Sequence, residues 1–170
     1  MGAVSAHAEF LYGEEKVTPF APVPGGLLRD ARAEKRAARL LGTYLQPGGD
    51  GNAAQYSTDD EEMVYTFLEE GVPALLTEGE VYLSDAFRSL QAAPPRITVG
   101  VSVHGSVLDL EVDTGEFPVA ELKDLLRSLH QKKRYHRLRD GRLLRLDDSL
   151  EGLDELNDTL EPVSYTHLRA

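Results

Sequence analysis

The chain has 170 residues, no cysteine, 41% hydrophobic and 28% charged residues, and a formal net charge of −11. This is ordinary soluble material for one good core, with two domains allowed but not required. It excludes a disulfide scaffold, a thiolate nucleophile and a cysteine-ligated zinc, and argues against a surface that coats nucleic acid all round. No apolar run nears the roughly 20 residues of a membrane span. The first residues, MGAVSAHAEFLYGEE, lack the charged start and apolar core of a secretory signal. The expected location is the cytoplasm, with nucleoid association left open and no membrane partner.

The first elements follow from periodicity. Val4 to Leu11 alternates Val4, Ala6, Ala8 and Phe10 against Ser5, His7, Glu9 and Leu11, the period of a half-buried strand. Tyr12-Gly13 ends it, and Lys16 to Phe20 returns as a second short strand. Pro22, Pro24 and Gly25-Gly26 break the pattern. Asp30 to Leu45 reads as a helix with Ala33, Ala37, Leu40, Leu41 and Tyr44 on one stripe. Arg32, Arg36 and Arg39 share a second stripe, a secondary basic face. Asp30 and Glu34 suit the start of that helix, where its dipole favours negative charge.

Gln46 to Ser57 is expected to be a loop, and its glycines are not followed by the Gly-Lys-Ser/Thr of a phosphate-binding loop. Thr58-Asp59-Asp60-Glu61 reads as a capping box, with Gly71 as the helix stop and Pro73 beyond. The carboxylates Asp59 to Glu62 are adequately explained as first-turn residues, so no metal is expected there. Glu80 to Leu83 reads as a short strand, and Ser84 as the cap of a short helix ending near Leu90. Ile97 to Val112 is a hairpin around Gly105-Ser106, pairing Val103 with Leu108, Val101 with Leu110, and Val99 with Val112. Pro118 opens a helix whose buried stripe is Leu122, Leu125, Leu126 and Leu129. Leu150 to Leu160 can form a final acidic helix. The expected class is α+β: antiparallel β-hairpins packed with amphipathic helices in a single domain.

The charge is unevenly spread. Nine of the 18 Lys and Arg fall between Lys123 and Arg145. Within that segment, Asp140-Gly141 signals a two-residue type I′ turn. Pairing outward sets Arg139 opposite Arg142, Leu138 opposite Leu143, Arg137 opposite Leu144, His136 opposite Arg145 and Tyr135 opposite Leu146. Arg137, Arg139 and Arg142 would then share one face near the tip. The nucleic-acid-binding candidates are Lys132, Lys133, Arg134, Arg137, Arg139, Arg142 and Arg145. Such a group can meet phosphates and release counterions, meet an acidic protein surface, or be a well-solvated tip. Arg127, His130, Lys132 and Lys133 also have a structural account, because a helix C-terminus favours cations. The five histidines (His7, His104, His130, His136, His167) show no metal-ligand spacing; His104 and His136 read as solvated strand residues. No catalytic residue is assigned, and the chain is expected not to be an enzyme.

The run AQYSTDDEEMVYTFLEEGVPALLTEGEVYLSDAF (54–87), the segment Leu108 to Glu121, and KKRYHRLRDGRLLRL (132–146) with its Tyr-x-Arg-Leu-x-Asp-Gly resemble the accessory domain of bacterial Swi/Snf-type helicases. FLYGEEKVTPF, followed by an Arg-rich helix, fits the same domain. That resemblance implies a domain preceding an ATP-driven double-stranded-DNA translocase motor of two RecA-like lobes. It implies a role beside the motor: no cofactor in this chain, ATP and Mg only in the motor, and as partners the motor lobes in cis and double-stranded DNA. A protein-interaction module without nucleic-acid contact is the alternative. The last residues, VSYTHLRA (163–170), resemble a translated sequencing adapter. The expected division is an accessory domain over 1–161 and an artefactual or disordered, poorly packed tail over 162–170, the natural protein continuing past Pro162.

Overall fold

The computed structural model describes residues 3–19, 27–48, 55–104, 107–147, 150, 153 and 168–169. Their contacts gather into two compact units, Met1–Phe87 and Arg88–Ala170. Each carries helices and small sheets, so the α+β class holds in both.

In the first unit the predicted strand divides. Strand β1 (Val4–His7) and strand β2 (Phe10–Tyr12) are separated at Ala8-Glu9, yet the in-out alternation runs unbroken from Val4 to Tyr12. β2 pairs with β3 (Glu15–Val17), a little earlier than the expected Lys16 start. Gly13 (φ +64°) occupies the first turn position, which demands a positive φ in a II′ turn. Gln46 to Ser57 is not simply a loop. Its ends form β4 (Gln46–Pro47) and β5 (Gln55–Thr58), giving a sheet of order β1-β5-β4. Gln55–Thr58 pairs along its whole length with the distant β1 and over two residues with β4, and Pro47 sits on the edge, where a missing donor is tolerated.

Helix α1 (Ala31–Tyr44) begins where expected, Asp30 accepting from the N–H groups of Arg32 (3.1 Å) and Ala33 (2.9 Å). Its buried line is Glu34, Ala38 and Leu41, continued by Leu45, with Ala33, Ala37, Leu40 and Tyr44 as half-buried flanks. Glu34 is buried because Arg29 and Tyr12 meet it: the guanidinium forms an ion pair with both carboxylate oxygens, and Tyr12 Oη donates to Oε1 at 2.6 Å. The Arg29 contact is the main cause holding Glu34 below the ordinary carboxylate range.

The next helix starts two residues later than the capping box implied. Asp60 is the cap, accepting from Met63 N–H at 2.9 Å, and Thr58 is left as the last residue of β5. Gly71 does not stop it. Helix α2 (Glu61–Thr66) passes through a π-turn (Phe67–Gly71) into α3 (Val72–Glu78). The π-turn ends two residues before Pro73, whose missing N–H and bulky ring disrupt a regular ladder. Gly71 is helical (φ −67°, ψ −47°) and serves packing: a Cβ there would collide with the Phe67 ring and lie 3.0 Å from Tyr44 Cδ2. Glu80 to Leu83 forms no strand and pairs with none among the described residues, whereas Ser84 does cap α4 (Asp85–Arg88), accepting from Phe87 N–H at 3.2 Å.

In the second unit β7 (Thr98–His104) and β8 (Val107–Asp113) pair in the predicted register; Gly105-Ser106 lies outside the described residues. Helix α5 (Val119–His130) follows, with Pro118 one step earlier than expected, at the cap. Leu122, Leu125 and Leu126 are buried and Leu129 half-buried, as the stripe predicts. They join Ala92, Val112, Phe117, Leu138, Leu144, Leu150 and Leu153 in one core. Most of the predicted final helix lies outside the described residues. Two short parallel pairings accompany the antiparallel hairpins. β6 (Gln91–Ala92) runs parallel to β10 (Leu143–Arg145) in a sheet of order β6-β10-β9, where β9 is Tyr135–Arg137. β11 (Leu168–Arg169) runs parallel to β8, so these two residues of the expected tail do pair.

Candidate nucleic-acid interface

The basic hairpin forms, but one residue out of the expected register. Arg137 faces Leu143, His136 faces Leu144, and Tyr135 faces Arg145. A type I′ turn needs positive φ at both central residues, and here only Gly141 (φ +91°) has it. The connection is therefore the three residues Arg139 to Gly141: Gly141 N–H donates to Leu138 O and Leu138 N–H to Arg142 O, both at 2.9 Å. Asp140 fits this turn from inside, its Oδ1 accepting from Arg142 N–H at 3.0 Å and its Oδ2 pairing with Arg142 Nε at 2.7 Å. These bonds, the backbone one first, hold Asp140 below the ordinary carboxylate range.

Shifting a strand by one residue turns each side chain to the other face, and the arginines change places accordingly. Arg137 shares its face with Tyr135, Leu143 and Arg145, while Arg142 stands opposite Leu138. The three arginines expected on one face are thus spread around the tip, though all three remain exposed. The new register also avoids the opposed Arg139–Arg142 pair that the two-residue turn would have imposed.

Helix α5 fixes the hairpin at both ends. At the tip, buried Glu121 accepts from Arg139 N–H at 3.0 Å, and Arg139 Nη2 donates to Ala120 O at 3.2 Å and lies 3.8 Å from Asp124 Oδ2. At the root, His136 Nδ1 and Ser128 Oγ are 2.8 Å apart. His136 is buried, not solvated, and burial is the leading cause that pushes its pKa down. It belongs to the core face, because the slip pairs it with Leu144. Neither Glu121 nor Ser128 signals this in sequence; only their position one turn apart from the leucine stripe hints that they face the hairpin.

The remaining cations cluster around the end of α5. Lys132 N–H donates to Leu129 O (2.8 Å) and Lys133 N–H to Ser128 O (3.1 Å). This is a Schellman closure, with Lys132 in the left-handed position (φ +52°) usually given to glycine. Lys132 and Lys133 make no ion pair among the described residues, and Arg134 and Arg137 are exposed. Arg145 is exposed and pairs with Asp147 at 2.7 Å. Arg32, Arg36 and Arg39 are exposed along α1, Arg36 reaching Glu78 at 3.4 Å.

The geometry describes an α+β chain whose positive charge is gathered on an exposed hairpin and an adjoining helix end. The family model described as bacterial SNF2 helicase associated matches residues 1–167, and the chain belongs to that family. No curated protein and no solved structure matches it. Among the described residues no helix is long and apolar enough to cross a membrane.

Proposed function

We propose that this chain is a non-catalytic accessory domain of a Swi/Snf-type DNA translocase, and that the Lys132–Arg145 hairpin meets duplex phosphates beside the motor. The observation that carries this reading is the exposure of the hairpin's cations, together with the exposed character of the ion pairs made by Arg139, Arg142 and Arg145. From Lys132 to Asp147 the sequence places seven Lys and Arg against two carboxylates. Arg139, Arg142 and Arg145 do have acidic neighbours, but those pairs are exposed (side chains 66%, 49% and 54% accessible). Exposed pairs contribute only about 0–1 kcal/mol, so a phosphate can displace the carboxylate at little cost. Backbone contacts of this kind position a protein on DNA without reading its sequence.

The test is titration of a fluorescent duplex at several salt concentrations. The chain should bind weakly, with affinity falling as salt rises. Changing Arg137, Arg139 and Arg142 together to Ala should lower affinity several-fold. If each meets one phosphate, the slope of log K against log salt should fall by up to about 2.7, at roughly 0.9 per contact. Thermal stability should hardly change. Salt-independent binding, or none, would move the hairpin to a protein-facing role against the motor lobes.

A further inference from the structure

β7 is the one long sheet edge among the described residues. It has seven residues, Thr98 to His104, and among the described residues it pairs on one side only, with β8. Every other described edge strand has four residues or fewer. Shortness is a usual protection against strand addition, and charge and proline are others. β7 reads Thr-Val-Gly-Val-Ser-Val-His, with no Asp, Glu, Lys, Arg or Pro.

Three properties of this edge select a second copy of the chain as its occupant. The first is order. About Val101 the strand is nearly symmetric, so an antiparallel copy sets Val101 against its own counterpart, Val99 against Val103, Gly100 against Ser102 and Thr98 against His104. The second is hydrogen-bond phase. A two-residue connection closes on a pair that exchanges both hydrogen bonds, here His104 and Val107. Alternate residues then bond inward to β8, leaving Val99, Val101 and Val103 to offer N–H and C=O groups outward. Those three residues are the ones the symmetric register pairs, giving six new backbone hydrogen bonds. The third is Gly100. Its φ is not positive, and a Cβ there would make only ordinary contacts, 3.7 Å from Glu111 O. Glycine inside a strand costs about 0.5–1 kcal/mol relative to alanine, and nothing among the described residues requires it. Glycine at such a position often accompanies close approach of another backbone.

We propose that β7 pairs with β7 of a second copy across a twofold axis at Val101, joining two sheets through their open edges. Seven-residue strands are only about 23 Å long. One strand pair buries less than the roughly 1,000 Å² of a durable interface, so the dimer should be weak and concentration-dependent.

Sedimentation velocity of the full chain over increasing concentration tests this. The expected result is a reversible monomer–dimer equilibrium, half dimeric in the range of about 10–100 µM for so small an interface. Gly100→Lys with Ser102→Lys would set like charges opposite each other twice in the dimer and should abolish it. In the monomer these positions are exposed, and Glu111 faces Gly100, so folding, checked by circular dichroism and melting, should persist. Gly100→Lys with Ser102→Glu makes both crossings opposite in charge and should restore dimerisation. A wild-type chain monomeric throughout, or a dimer that survives the double lysine variant, overturns the assignment. Duplex binding by the basic hairpin is read separately and stands or falls on its own assay.

Discussion

Replacement of Gly71 by alanine sets two physical effects against each other, and the structure decides the sign. In a helix interior, alanine is favoured over glycine by about 1 kcal/mol, and Gly71 has ordinary helical angles, so propensity alone would predict stabilisation. Against this, the added methyl collides with the Phe67 ring and lies 3.0 Å from Tyr44 Cδ2. Phe67 is itself buried and packed against Tyr44 and Phe87, with ring centroids 6.0 and 5.9 Å away, which limits how far it can move aside. Overpacking of this kind costs about 1–3 kcal/mol, leaving a net loss of up to about 2 kcal/mol, or a melting temperature lower by up to about 8 °C. Gly42 is the internal control. It lies in α1 with nothing within 4 Å of its added Cβ, so Gly42→Ala should stabilise by about 0.5–1 kcal/mol. Urea denaturation followed by circular dichroism reads both. Trimming the ring with Phe67→Leu should make Gly71→Ala less costly, a non-additivity expected of touching residues. Equal stabilisation by Gly42→Ala and Gly71→Ala would refute the packing account.

Three other outcomes follow from named contacts. Because the folded chain holds Glu34 below the ordinary carboxylate range, its stabilising effect is full above the unfolded value and is lost as pH falls through the folded one; in acid denaturation, Glu34→Gln should give a less stable protein at neutral pH and a shallower acid limb. His136 is pushed down instead, so the unfolded chain binds the extra proton first. Stability should fall as pH drops through the ordinary histidine range and level off below the folded value, and an NMR titration of His136 should show a midpoint under that of a free histidine. Lys132→Gly relieves a left-handed lysine and should raise stability by about 1 kcal/mol while weakening duplex binding, a split that a merely structural lysine would not produce.

Several elements were fixed by local chemistry alone. The alternation from Val4 to Tyr12, the Asp30 cap, the leucine stripe of α5, the Ser84 cap and the Val99–Val112 register all depend on neighbours within a few residues or on a turn between two strands. The family, too, was legible, because its spaced apolar positions and Tyr-x-Arg-Leu-x-Asp-Gly segment run along the chain. What the sequence could not decide were choices made by partners far away in it. Gln55–Thr58 is a strand because β1 lies beside it, and Gly71 is a packing residue because Tyr44 and Phe67 close over it. The basic hairpin shows the physical reason most plainly. Asp140-Gly141 permits either a two- or a three-residue connection at similar local cost. The longer one lets Leu138, Leu144 and His136 reach the core and lets Glu121 and Ser128 of α5 hold the tip and the root. That one-residue shift then determined where each arginine stands.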